Sequence, residues 1–262
     1  MIPVVLVLLG LCFGSFINAL VWRLHEKRNW VSERSECTHC HHVLAAADLI
    51  PVVSWLLLRG KCRYCRKPIS DTPLTELAVP ALFLLSYYAW PYAFQGRGLF
   101  IFVLWLVFIV GFVTLAIYDV RWFLLPDKII FPFIGLALLQ VLGEWIFFDG
   151  SWRSAMGSVL GAVIISGLFW LLYEVSRGKW IGFGDVKLGV ILGLLAGGVA
   201  HAFLLLFVAS FIGMLVSLPL VLMGKANRKS HLPFGPLLIA GMVVVQLFGS
   251  SLIASYMRLL GS

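Results

Sequence analysis

The chain has 262 residues, of which 61% are hydrophobic and only 12% charged, with a formal net charge of +8. A soluble domain carries about 25% charged residues, so this balance excludes a water-soluble globular fold and defines a protein that crosses a membrane several times. The positive surplus would suit nucleic acid, but its placement along the chain argues for membrane topology, with no nucleic-acid partner.

Eight apolar segments follow one another, at 2–22, 74–92, 99–118, 129–147, 154–173, 186–199, 201–223 and 237–257. Each is read as a membrane-crossing helix. The first has no basic residue before its apolar run and its charges follow it, which marks a retained anchor rather than a cleaved signal. The sixth is short and glycine-rich (Gly189, Gly193, Gly197, Gly198), which predicts a helix that is tilted or partly buried between neighbours. With the N-terminus outside, every lysine and arginine except Arg97, Arg153 and Arg258 falls on the inside, the distribution expected of cytoplasmic loops. The predicted architecture is an all-α polytopic integral membrane protein of about eight transmembrane helices, embedded in membrane lipid. It divides into a first helix (1–22), a cytoplasmic loop (23–73) and a transmembrane helical region (74–262). No internal repeat or low-complexity tract stands out.

The loop carries Cys37-Thr38-His39-Cys40 and Cys62-Arg63-Tyr64-Cys65. Two Cys-x-x-Cys turns at this separation predict one tetrahedral Zn²⁺ held by four thiolates, a closed site that is structural rather than catalytic. It would hold together a loop too small to have its own core. Disulfides are the weaker alternative in a reducing cytosol, and four unliganded cysteines the plain one. His39, His41 and His42 lie near enough to substitute, but four cysteines make them unnecessary. Cys12, inside the first span, reads as packing.

Carboxylates at the ends of apolar helices carry the second signal, because charge in or near hydrocarbon is costly and usually functional. Asp119 closes the third span, where the helix dipole opposes a negative charge. Asp185 opens the sixth, within Gly182-Phe183-Gly184-Asp185, and has an alternative reading as an N-cap. Gly182 and Gly184 weigh against a mere cap, since glycines permit a close backbone approach or a bend that capping does not need. Asp127, after Pro126, is an ordinary N-cap position and the alternative partner of Asp185. All three fall on the same side of the membrane in this topology.

These segments together resemble the type IV prepilin peptidases, GxGD aspartyl proteases that serve type IV pilus and type II secretion systems. The resemblance runs over nearly the whole length. It rests on Gly14-Ser15-Phe16-Ile17-Asn18 with Arg23, on the paired cysteine turns around Ile50-Pro51-Val52-Val53-Ser54-Trp55, and on Leu58-Arg59-Gly60-Lys61-Cys62. Pro73-Leu74 with Glu76, Asp119 with Leu125-Pro126-Asp127, Gly182 through Lys187, and Pro233-Phe234-Gly235-Pro236 complete it. The resemblance implies a bacterial inner-membrane endopeptidase that cuts prepilins or pseudopilins after a glycine, removing a basic leader on the cytoplasmic side. It makes Asp119 and Asp185 the catalytic pair, with Gly182, Gly184 and Lys187 in support. Many members also methylate the new N-terminus with S-adenosylmethionine, an activity associated with the zinc-bearing region. Here Asp71-Thr72 stands where the family usually has an arginine-tyrosine pair.

Two nearby carboxylates in a low-dielectric setting do not both ionise easily, so one keeps a proton and the other activates water. Counter-charges for a basic leader are sought at Glu26, Glu33, Glu36 and Asp48. Two other classes remain open from the residues alone. Paired intramembrane aspartates also serve proton or cation transport, although no inverted half-repeat is visible. A scaffold would use the same carboxylates only to hold a partner's basic segment.

Overall fold

A computed structural model describes residues 1–29, 33–69, 72–148, 151–224 and 232–260. Asp71 lies outside the described residues, as do Lys225, Arg228 and Lys229, which were expected in the last inside loop. Helices α1 (Ile2–His25), α2 (Val53–Leu57), α3 (Leu74–Tyr88), α4 (Gly96–Trp122), α5 (Asp127–Phe147), α6 (Trp152–Ser176), α7 (Phe183–Ala196), α8 (Val199–Leu222) and α9 (Gly235–Leu259) follow in order. Among the described residues, the extended pairing consists of two isolated bridges, Glu36 with Val43 and Lys61 with Pro68.

All eight predicted apolar segments form helices, and α2 is an additional short turn in the loop. Among the described residues, six helices are long and apolar enough to cross a membrane: α1, α4, α5, α6, α8 and α9. The expected count of eight is not confirmed, because α3 and α7 are shorter than the other spans. Their 15 and 14 residues rise only about 21–22 Å, against a hydrocarbon core of about 30 Å. In α7 the run Leu188–Ala196 is buried except at Val190, so this helix packs against protein more than it faces lipid.

The chain forms two compact units. One comprises Met1–Ala89 with Trp105–Thr114, the other Trp90–Leu104 with Leu115–Ser262. In the first, α1 and α3 touch backbone to backbone. A Cβ at Gly10 would stand 2.5 Å from Pro80 Cα, and one at Gly14 2.5 Å from Glu76 Cα. This is the close approach that a small-xxx-small face permits between apolar helices. Thr75 Oγ1 donates to Asn18 Oδ1 at 2.6 Å across the same seam. Trp105, Phe108 and Phe112 are fully buried in this unit, and Trp105 Nε1 donates to Ser86 Oγ at 2.9 Å, so the large indole enters the core with its polar atom satisfied.

The second unit is built around α7. Gly193 meets the Ala162 backbone of α6 with no room for a Cβ, and Gly189 lies against Ser166 of the same helix. Gly241 of α9 abuts Ala209 of α8. At one end of α4, Arg97 donates to Glu144 Oε2 of α5 through Nε and Nη2 at 2.9 and 2.7 Å. Packing of this kind replaces the hydrophobic effect, which supplies little between helices already in lipid.

Candidate active site

Asp119 lies in the last turn of α4 and is 6% exposed. Its own helix dipole disfavours it there, and the compensation comes from another helix. Asp119 Oδ2 accepts the backbone N–H of Gly235 at 3.0 Å, at the first residue of α9. The positive end of a helix and its unpaired N–H groups stabilise a carboxylate. Gly235 is required by space: a Cβ there would sit 2.7 Å from the same oxygen. α4 then stops at Phe123, which adopts the left-handed conformation (φ 54°) and returns its N–H to Asp119 O at 2.8 Å.

Asp185 also sits at a helix N-terminus, but not as the cap. Gly182 is the N-cap of α7, and Asp185 is the third helical residue, half-buried, with its carboxylate reaching back toward the Gly182 backbone. Gly184 is explained by a close approach, since its Cβ would stand 3.0 Å from Leu125 Cβ in the segment between α4 and α5. Space does not explain Gly182, whose nearest neighbour would be Asp185 Oδ2 at 3.6 Å. The charges of Asp119 and Asp185 act on one another. Two carboxylates, separated by 66 positions in the sequence, are thus brought into electrostatic range, each at the positive end of a helix.

Asp127 is placed differently. It is the first helical residue of α5, after the N-cap Pro126, rather than the cap itself. Its Oδ1 accepts from Lys187 Nζ at 2.6 Å. The lysine also lies over the rings of Phe183 and Phe131, at 5.2 and 5.3 Å. The alternative acid and the supporting lysine are therefore partners of one another. Gly235 is the site residue that inspection of the sequence missed. It stood within a recognised segment, but nothing local linked it to a carboxylate 116 positions earlier.

The loop of the first unit contains a second site. Cys37, Cys40, Cys62 and Cys65 place their sulfurs within 4.8 Å of one another, and Cys37 and Cys65 are 3.9 Å apart. Tetrahedral zinc with Zn–S bonds of about 2.3 Å needs S···S edges of about 3.8 Å, so the donor set and spacing fit a Cys₄ zinc site. Burial works against a thiolate at Cys37, but the backbone N–H groups of Cys40 and His39 outweigh it and hold the thiol down to about 7. None of the five cysteines is in a disulfide.

The two cysteine turns are copies of one ten-residue structure, which corrects the expectation that no repeat is present. Cys37 N–H donates to His42 O and His41 N–H to Cys37 O, just as Cys62 pairs with Lys67 and Arg66 with Cys62. Leu44 N–H donates to Ser35 O, and Ile69 N–H to Gly60 O. His41 and Arg66 share a left-handed φ of 55° and 57°. His42 of one copy stacks on Tyr64 of the other, with ring centroids 3.6 Å apart. Glu36 is engaged by Arg28 at 2.6 Å, and Asp48 by Arg63 at 2.6 Å, while Glu33 lies 3.4 Å from Arg28. Three of the four candidate counter-charges thus meet the loop's own arginines.

A multi-pass helical membrane protein with two aspartates in electrostatic range and a four-cysteine cluster after its first helix is the class these features define. The family follows from comparison with known proteins. Residues 8–90 match the family model described as the bacterial peptidase A24 N-terminal domain, and residues 106–218 match that of the type IV leader peptidase family. The chain is 32% identical to a prepilin leader peptidase/N-methyltransferase of Stutzerimonas stutzeri, over 95% of this chain and 92% of the relative. It is 32% identical to one of Pseudomonas putida, over 97% and 93%. A relative from Bacillus subtilis (strain 168) bearing the same name is 31% identical over 97% and 98%. No solved structure matches. This chain belongs to the type IV leader peptidase family, and of the three classes left open by the residues alone, the family selects the enzyme.

Proposed function

We propose that this chain is a bacterial inner-membrane aspartic endopeptidase that removes the basic leader from type IV prepilins or pseudopilins, cutting after a glycine on the cytoplasmic side. The observation that supports the reading is that Asp119 and Asp185 lie in electrostatic range of one another, with the Asp119 carboxylate held at the start of α9 and Asp185 in the first turn of α7. The ionised member takes a proton from a bound water, which attacks the scissile carbonyl. The neutral member donates to the carbonyl oxygen, and the leaving amine is then protonated. No acyl-enzyme forms. The proton belongs to the pair as a whole. The Gly235 N–H steadies Asp119 through the cycle, and Gly184 lets Leu125 close on the start of α7. Lys187 and Asp127 tie α7 to α5 beside the pair.

The second activity in this reading is N-methylation of the new N-terminus, in keeping with the names of the relatives. S-adenosylmethionine, when bound, supplies an electrophilic methyl group for the exposed α-amine. Residues 23–73 form the cytoplasmic zinc-bearing region, with Zn²⁺ held by Cys37, Cys40, Cys62 and Cys65 in a structural role. Residue range 74–262 is the protease, and the N-terminus lies outside. Mass spectrometry of a purified prepilin after incubation with the enzyme and methyl donor tests both halves. The reading requires loss of the leader and addition of one methyl group at the new N-terminus; an unaltered prepilin mass contradicts it.

A further inference from the structure

The first unit holds a half-open cavity of about 420 Å³ between the C-terminal half of α1, the start of α3 and the cysteine-bearing loop. Four observations mark it as a built site. Trp55, on its wall, buries an indole Nε1 that has no hydrogen-bond partner among the described residues. A buried donor left unpaired is costly, and an acceptor on a ligand would remove that cost. Arg23 lines the cavity while only 7% exposed, with Nη2 donating to Ser35 Oγ at 3.2 Å.

The third observation is backbone strain. Val52 adopts φ 62° and ψ −50°, with Val53 N–H donating to Pro51 O at 2.6 Å, which forms a γ-turn of the rare, strained hand. A β-branched residue there is an outlier that persists only where its surroundings enforce it, and such strain gathers at ligand clamps. Glu76 enforces it, accepting the Val52 N–H on Oε2 at 2.5 Å. The fourth is that Glu76 Oε1 makes no hydrogen bond among the described residues, so half of this cavity-lining carboxylate stays available.

We infer that this cavity is the binding site for a sulfonium methyl donor of the S-adenosylmethionine type, with Glu76 and Trp55 as its recognition residues. The inference rests on the methyl-transfer half of the function proposed above. The chemistry of the wall matches that of the molecule. A sulfonium cation is attracted to carboxylates and to aromatic faces, and Glu76, Trp22, Trp55 and Phe16 supply both. The donor's carboxylate finds a buried guanidinium in Arg23. Its adenine finds an apolar wall and, in Trp55 Nε1, a donor for a ring nitrogen. The cysteine repeats form one side of this cavity through Cys37 and Cys62, so the metal site shapes the pocket without meeting the ligand's reactive group.

The test measures binding of S-adenosylmethionine and of S-adenosylhomocysteine, which lacks the sulfonium charge, by titration calorimetry on the full-length protein in detergent. Wild type is compared with Glu76→Gln and Trp55→Phe. Zinc content at the wild-type level in each variant reports that the loop is folded. Glu76→Gln keeps an acceptor for Val52 N–H while removing the charge. It is expected to weaken S-adenosylmethionine about tenfold or more and to abolish its advantage over S-adenosylhomocysteine. Trp55→Phe is expected to weaken both ligands. Methyl transfer by wild type, with both variants binding the donor as wild type does, would overturn the cavity assignment and leave the proposed function standing. A wild-type protein that neither binds nor transfers the methyl group would overturn the methyl-transfer reading itself, and this inference with it.

Discussion

Asp119 and Gly235 are 116 positions apart in sequence and joined by a 3.0 Å hydrogen bond from the glycine N–H to the carboxylate. The bond explains how a negative charge is tolerated at the C-terminal end of its own helix: it is held at the N-terminal end of another. Gly235→Ala would push a methyl group to within 2.7 Å of the carboxylate oxygen. Turnover of prepilin by this variant is expected to fall at least about tenfold, in line with the sensitivity of catalysis to small misplacements of reacting groups. Zinc content should not change. Wild-type turnover would mean that Asp119 need not be held against α9.

Zinc removal gives a separate prediction. The purified protein should contain about one zinc per chain, and serine at any one of Cys37, Cys40, Cys62 or Cys65 should reduce this to near zero. Metal analysis and Co²⁺ substitution, with the absorption of a tetrahedral thiolate site, check it. The loop should become protease-sensitive when the metal is stripped, because the four thiolates join the two cysteine turns through the metal.

The Asp127–Lys187 pair is short, but Asp127 is 55% exposed. An exposed pair is worth little, so a double-mutant cycle with Asp127→Asn and Lys187→Gln should give a coupling below about 1 kcal/mol in thermal stability. Asp127→Asn should retain most of its cleavage activity. A coupling several times larger would assign the pair a deeper structural role than its exposure allows.

Glycines in the second unit divide by what surrounds them. Gly193→Leu must force α6 and α7 apart at Ala162 and should cost about 3 kcal/mol or more, or prevent accumulation of folded protein. Gly167, on the exposed side of α6, has nothing within 4 Å of its would-be Cβ, so Gly167→Ala should be neutral or slightly stabilising. Melting temperatures in detergent distinguish the two.

Much of the fold was legible because a membrane makes composition decisive: each apolar run became a helix, and only the lengths of α3 and α7 departed from a full crossing. The four cysteines were legible from spacing alone, and they converge. The duplication of the cysteine turn was not. Ser35–Leu44 and Gly60–Ile69 share few side chains beyond the cysteines, and their likeness lies in backbone hydrogen bonds and a left-handed fifth residue from each first cysteine. Helix starts misled in a similar way. Asp127 and Asp185 have the residue type of N-caps, yet Pro126 and Gly182 occupy those positions and push the carboxylates one and three residues into the helix. The bond to Gly235 was invisible for a different reason: long-range contacts leave no local pattern.

The most direct test of the carboxylate pair compares cleavage of a purified prepilin by wild type, Asp119→Asn, Asp185→Asn and Asp127→Asn under identical detergent conditions. Each substitution preserves size and one acceptor oxygen while removing charge. Loss of activity by about a thousandfold or more in the first two, with substrate binding retained and Asp127→Asn active, is the predicted result. Cleavage at the wild-type rate by either Asp119→Asn or Asp185→Asn would contradict it.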